Sequence, residues 1–223
     1  MTLAPIALLV WAAFVFDLLG FAARDELWLR GLMLVASGFY LVYYYIVADA
    51  PLWDAIATNG ILAAVNIIMI GVVLAERSTL FMGADDSALY RGFTRLTPGQ
   101  FRRLRALATQ HQSDTDTVLI AEGQHLNHLY YIVDGQVEIT KGKTMVVKSG
   151  KQFMGELAFL TGVPATAQVR VLKGTRYLMW QVDDLKTALD QRPALSTALT
   201  AHFNLDLAVK LVNAQPMPET ADL

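Results

Sequence analysis

The 223 residues are 54% hydrophobic with a mean hydropathy of +0.38. The apolar excess is concentrated in the first third, and the length suits two modest units. A net charge of -2 and an isoelectric point near 6.1 argue against nucleic acid as a partner. The chain has no cysteine, which excludes disulfides and thiolate chemistry. Of the four histidines only His125 and His128 stand close together, and they lack a third ligand at zinc spacing.

Three apolar runs open the chain, at residues 3–23, 27–48 and 55–75. Each is close to the roughly 20 residues a helix needs to cross a bilayer core. The first run lacks a basic start and a clear cleavage site, which disfavours a removable signal peptide. A soluble bundle would need long polar helices elsewhere to wrap these runs, and none is evident. The sequence therefore predicts a transmembrane domain over residues 1–76 with three spanning helices. Arg24, Arg30 and Arg77 flank one side, whereas the connection around Asp49 to Asp54 has no basic residue. The positive-inside rule then puts the N-terminus outside the cell membrane and the remainder in the cytoplasm. Asp17 and Arg30, charges on adjacent spans, are expected to pair.

A polar connector follows over residues 77–95. Thr97-Pro98 with Gln100 three residues after the cap reads as a capping box opening a helix, with Phe101, Leu104, Leu107 and Ala108 on one face. From Thr117 the periodicity becomes two. The runs VLIA, LYYIV, VEITKG, TMVVK, AQVRVL and TRYLMWQV are separated by turn pairs such as Asp134-Gly135 and Ser149-Gly150. Short strands at this spacing predict a small barrel or jelly roll. Helix then returns from Val182, breaks at Arg192-Pro193 and runs on to about Val212. The polar tail, residues 213–223, is expected to be disordered.

Within the strand region, Phe153 to Val169 reads FMGELAFLTGVPATAQV. Gly155 permits close backbone approach, Glu156 can accept a hydrogen bond from a sugar hydroxyl, and a short apolar helical turn follows. The N–H groups of Leu157 and Ala158 and the hydroxyl of Thr166 are candidate anion donors. A helix-entry turn kept for folding, with Glu156 held by backbone donors, is the competing reading. No nucleophile–base pair, paired carboxylates or metal set can be assembled, so an enzyme is not expected.

The order helix, roll with a Gly-Glu cassette, then two helices resembles a cyclic-nucleotide-binding domain over residues 96–212. The matching stretches are AEGQHLNHLYYIVDGQVEI, at Ala121 to Ile139, and GELAFLTGVPATAQV, at Gly155 to Val169. Three membrane helices directly before such a domain, with the junction LYRGFTRLTPGQF, resemble the Popeye-domain family. That resemblance implies a three-pass membrane protein with a β-roll (jelly-roll) cytosolic domain and cyclic AMP, or another cyclic nucleotide, as ligand. In cyclic-nucleotide-binding domains the residue after the cassette proline is an arginine that meets the cyclic phosphate; here it is Ala165. The Popeye elements Asp-Ser-Pro-Glu and Phe-Gln-Val-Thr correspond here to Gly162-Val163-Pro164-Ala165 and Ala167-Gln168-Val169-Arg170. The ligand set implied is Gly155, Glu156, Leu157, Ala158, Ala165, Thr166, Val146 and Val169. Arg170 is a conceivable substitute cation that alternation should point away from the pocket. The function implied is a membrane-anchored cyclic-nucleotide sensor or adaptor acting by conformational coupling. The alternative is a ligand-independent scaffold using the roll and the last helix for dimerisation or partner binding. Expected partners are the lipid bilayer, a second copy of the chain and a membrane protein.

Overall fold

The computed structural model describes residues 3–80 and 82–214. The polar tail from Gln215 lies outside the described residues. Contacts divide the chain into two compact units, with the boundary between residues 81 and 82.

The first unit is three helices: α1 (Leu3–Ala22), α2 (Glu26–Ile46) and α3 (Trp53–Arg77). Asp25 caps α2, its side chain accepting the Leu27 N–H at 2.8 Å. By length and composition, α2 and α3 qualify to cross a membrane. The shorter apolar stretch Ile6–Ala22 of α1 does not reach the same length among the described residues. Two such helices are therefore found where three were expected. Large apolar side chains such as Trp11, Phe21, Trp28, Ile61 and Ile68 point outward, while the small Ala13 and Ala36 are buried. Close contact through small residues with bulky apolar groups outside is how helices associate in lipid, where hydrophobic burial between them gains little.

Polar groups inside this unit pair differently from the expectation. Arg30 reaches Glu26 at 3.6 Å on its own helix and donates to the Asn66 side chain of α3 at 3.5 Å. Asp17 instead interacts with the Tyr40 hydroxyl of α2. Arg77 closes the unit with a 2.7 Å ion pair to Asp25. The Asp17–Arg30 pair read from the sequence is thus replaced by two separate contacts, because Glu26 and Asn66 occupy the guanidinium.

The second unit begins with α4 (Ala84–Tyr90) and α5 (Pro98–Ala106). The capping box forms: Gln100 N–H donates to Thr97 Oγ1 at 3.2 Å, and Thr97 N–H to Gln100 Oε1 at 2.9 Å. Residues after 84, read from the sequence as the end of a polar connector, contribute Leu89 and Phe93 to the core. The eight strands are β1 (Thr109–Gln112), β2 (Thr117–Ile120), β3 (His128–Asp134), β4 (Gln136–Lys141), β5 (Thr144–Ser149), β6 (Gln152–Met154), β7 (Gln168–Val171) and β8 (Arg176–Gln181). They form two four-stranded antiparallel sheets, ordered β1-β8-β3-β6 and β2-β7-β4-β5. The expected roll is not closed into a barrel. Helix α6 (Glu156–Thr161) sits between β6 and β7, and α7 (Val182–Asp190) and α8 (Pro193–Ala214) follow β8.

Two clusters hold this unit together. Between the sheets, Ile120, Tyr130, Ile132, Val137, Met154, Ala165, Val169 and Val171 are buried. Between the first sheet and the helices, Phe93, Phe101, Phe153, Trp180 and Phe203 form an aromatic core, and the Trp180 indole donates to the Leu104 carbonyl at 2.8 Å. Edge-to-face packing of Phe153 on Phe203, with centroids 4.8 Å apart, fixes the first half of α8 against β6.

Separate partners for Asp17 and Arg30 make a double-mutant cycle decisive. The effects of Asp17→Asn and Arg30→Gln on thermal unfolding in detergent should add to within about 0.5 kcal/mol, as for sites with no shared partner. Asp17→Asn combined with Tyr40→Phe should instead be non-additive. Strong coupling between Asp17 and Arg30 would contradict this arrangement.

Candidate functional site

The cassette is built around a backbone that only glycine tolerates. Gly155 has φ +89°, and a Cβ there would come within 2.8 Å of Leu126 Cδ1 and 3.1 Å of Ile120 Cδ1. The left-handed turn ends β6 and aims Glu156 inward, and Phe159 N–H bonds back to the Gly155 carbonyl at 2.9 Å. A second left-handed glycine, Gly162, ends α6 after six residues. The chain then returns through Pro164 to Ala165, which is tied to the β2–β3 loop on both sides. Its N–H donates to the Gln124 carbonyl at 2.9 Å, and its carbonyl accepts from Gly123 N–H at 2.8 Å.

Together these segments wall a hollow of about 200 Å³. Seven of the eight residues named from the sequence line it: Gly155, Glu156, Leu157, Ala158, Ala165, Thr166 and Val169. Val146 does not. It shares the inner face of its sheet, lying opposite Ile139, but at the open edge strand it is 46% exposed and outside the lining. Ala165 is only 7% exposed and belongs to the inter-sheet cluster, so the cassette presents no cation from that position. Arg170 lies on the opposite face, where it meets Glu138 at 3.8 Å.

The lining also holds residues that were not anticipated, among them Lys148 on β5, and Leu207 and Lys210 on α8. Lys210 dominates the electrostatics. Its ammonium donates to Glu156 Oε1 at 2.6 Å and to the Phe153 carbonyl at 2.7 Å, and lies 2.9 Å from Asp206 Oδ2. Glu156 is 6% exposed, so the carboxylate that could bind a sugar hydroxyl is buried and already paired with the last helix. The relevant signal was present in the sequence: Asp206 and Lys210 stand four apart on one helix face, in line with the buried His202 and Phe203.

Behind this pair lies a second buried group. His202 stacks on Phe93 with ring centroids 5.4 Å apart and packs edge-on against Phe153 at 5.7 Å. Its Nδ1 is buried without a hydrogen-bond partner among the described residues. Burial holds the imidazole below its ordinary pKa, Asp206 pulls the other way, and Arg95 adds to the depression. Tyr131 is pushed up to about 12 by burial, with a smaller contribution from Asp206. Next to the cassette hollow, with which it shares Ile120, His125 and His128 line a second hollow of about 100 Å³ with Gln124 and Tyr130. No group of three or more metal-ligating side chains occurs among the described residues.

Residues 94–192 match the cyclic nucleotide-binding domain family. The crystal structure of a cyclic nucleotide-binding domain from Methylobacillus flagellatus superposes with a TM-score of 0.54 at 18% identity, covering 63% of this chain and 88% of that one. That of a predicted cyclic nucleotide-binding protein from Geobacter metallireducens gives 0.51 at 19% identity, covering 58% and 99%. The second unit has the cyclic-nucleotide-binding fold. A predicted potassium channel protein of Rhodopseudomonas palustris is 28% identical over 109 residues, which is 47% of this chain and 26% of that protein. The chain thus matches about a quarter of that relative's length. Two antiparallel sheets with flanking helices are what the second unit shares with both structures.

The buried imidazole gives this domain a pH dependence of known sign. With its pKa depressed on folding, His202 binds fewer protons in the folded than in the unfolded chain. The stability it contributes is complete above the ordinary value of 6.5 and falls as pH drops through the folded value. Thermal unfolding of the wild type should therefore weaken between pH 7 and pH 5 more than that of His202→Gln. Equal slopes for the two proteins would contradict the assignment.

Proposed function

We propose that this chain is a membrane-anchored cyclic-nucleotide sensor in which ligand and α8 compete for Glu156. The observation that carries the reading is the Lys210–Glu156 pair, which places the last helix on the one buried carboxylate of the cassette hollow. A hollow of about 200 Å³ is below the roughly 300–1,000 Å³ of small-molecule pockets. A nucleotide would have to displace Lys210 and Leu207 to sit with its ribose against Glu156. Binding and movement of α8 are then one event, and the ligand's differential affinity for the two positions supplies the shift.

The fold match and the cassette support the cyclic-nucleotide ligand, with cyclic AMP as the first candidate. The three apolar helices support a multi-pass anchor with the N-terminus outside and the cyclic-nucleotide-binding domain in the cytoplasm, an arrangement that resembles the Popeye-domain family. One observation favours a second reading. Leu205 and Val209 of α8, one turn apart on one face, are exposed, and such an apolar outer pair suits packing against a second copy. In that scaffold reading the hollow stays closed and α8 acts through dimerisation alone.

Titration of the full chain in detergent with cyclic AMP separates these readings. Removing one partner of a buried ion pair strands the other charge, at a cost of about 3–5 kcal/mol. Lys210→Met should leave Glu156 open to the ribose and raise affinity about tenfold or more, whereas Glu156→Gln should lower it. Equal binding by Lys210→Met and wild type, or no binding by either, would move the account to the scaffold.

A further inference from the structure

The hollow carries a cation that the proposed reading leaves unexplained. Lys148 lies on β5 opposite Val137, which also faces Val171, and all three share the inner face of their sheet. Val137 and Val171 are completely buried, so an ammonium stem occupies a position where the neighbouring strands carry core valines. Lys148 is half-buried and lines the hollow beside Ile139, Thr166 and Val169. Among the described residues it has no hydrogen-bond or ion-pair partner. The other basic groups near the cassette are committed: Lys210 to Glu156, Asp206 and the Phe153 carbonyl, and Arg170 to Glu138 on the outer face. Ala165, where an arginine would stand in cyclic-nucleotide-binding domains, is apolar and buried.

We infer that Lys148 is the anion-recognising residue of the hollow, meeting the phosphate of its ligand from β5 rather than from the cassette. This inference rests on the reading of the hollow as a nucleotide site and adds which side chain selects the charged ligand. An inward ammonium tolerates this place because the hollow opens beside the edge strand and leaves its head hydrated until a ligand arrives. Lysine can serve as a point charge for phosphate without the paired geometry of an arginine. The strongest competing explanation is local: β5 is an edge strand exposing Met145, Val146 and Val147, and an inward charge on such a strand blocks edge-to-edge association.

The two explanations separate in one set of titrations of the full chain in detergent, using cyclic AMP and the phosphate-free probe adenosine. Wild type should prefer cyclic AMP. Lys148→Met should lose about tenfold to a hundredfold in affinity for cyclic AMP, the range for one charge-assisted contact, with adenosine unchanged. Lys148→Arg should retain most of the preference. Unchanged cyclic AMP affinity in Lys148→Met, together with new self-association by analytical ultracentrifugation, would overturn the inference and assign Lys148 to guarding the edge. Lys210→Met serves as the control for the underlying reading. If neither it nor wild type binds cyclic AMP, the nucleotide site itself falls, and the inference with it.

Discussion

The 2.6 Å contact between Lys210 and Glu156 is the constraint on which the site depends. A buried carboxylate is costly unless paired, and here its partner comes from the far end of the last helix, not from a neighbouring strand. That choice links three things that could otherwise vary independently: the ionisation of the cassette acid, the docking of α8 and the size of the hollow. The same ammonium also holds the carbonyl of Phe153, a residue whose ring packs on Phe203 about two turns earlier in α8. The aromatic core anchors the first half of the helix apolarly, and the ion pair anchors the second half electrostatically. A polar contact is easier to exchange for a polar ligand than an aromatic one, so the second half is the part suited to movement.

Much of this domain was legible in the chain because its signals are local. Thr97, Pro98 and Gln100 announce a helix start that forms as written, and Asp134-Gly135 marks a turn between two strands. Gly155 and Glu156 mark the cassette through residue types that few other backbones require. Strands β1 and β6 were harder to see. β1 reads TQHQ, wholly polar and exposed, and β6 is three residues long; both owe their pairing to β8 and β3 rather than to propensity. The short helix α4 was hidden for a related reason, since its two acids read as a linker while Leu89 and the following Phe93 supply the core.

The site shows the same division. Residues within the cassette were found because they are contiguous, whereas Lys148 and Lys210 reach the hollow from elsewhere in the fold. Val146 belongs to the ligand set that the family resemblance implies, and its face is right, but the edge position of β5 leaves it open to solvent. In the first unit, the length of the apolar runs gave the helices but not their partners. Asp17 and Arg30 seemed matched by charge, yet Glu26 four residues before Arg30 and Asn66 across the unit claim the guanidinium. Opposite charge in sequence proximity is a weaker guide than what a helix places one turn away.

The central claim is that ligand and the second half of α8 exclude one another at Glu156. The absence of native cysteine makes a direct measurement clean, because spin labels attach only where cysteines are introduced. Labels at Lys143→Cys, in the turn between β4 and β5, and at Val209→Cys on α8 report the distance between the second half of α8 and that hairpin by pulsed electron resonance. The account predicts that saturating cyclic AMP shifts the distance distribution to a second population, and that Glu156→Gln weakens this response. A distribution unchanged at saturating nucleotide, with binding verified in the same sample, would contradict it.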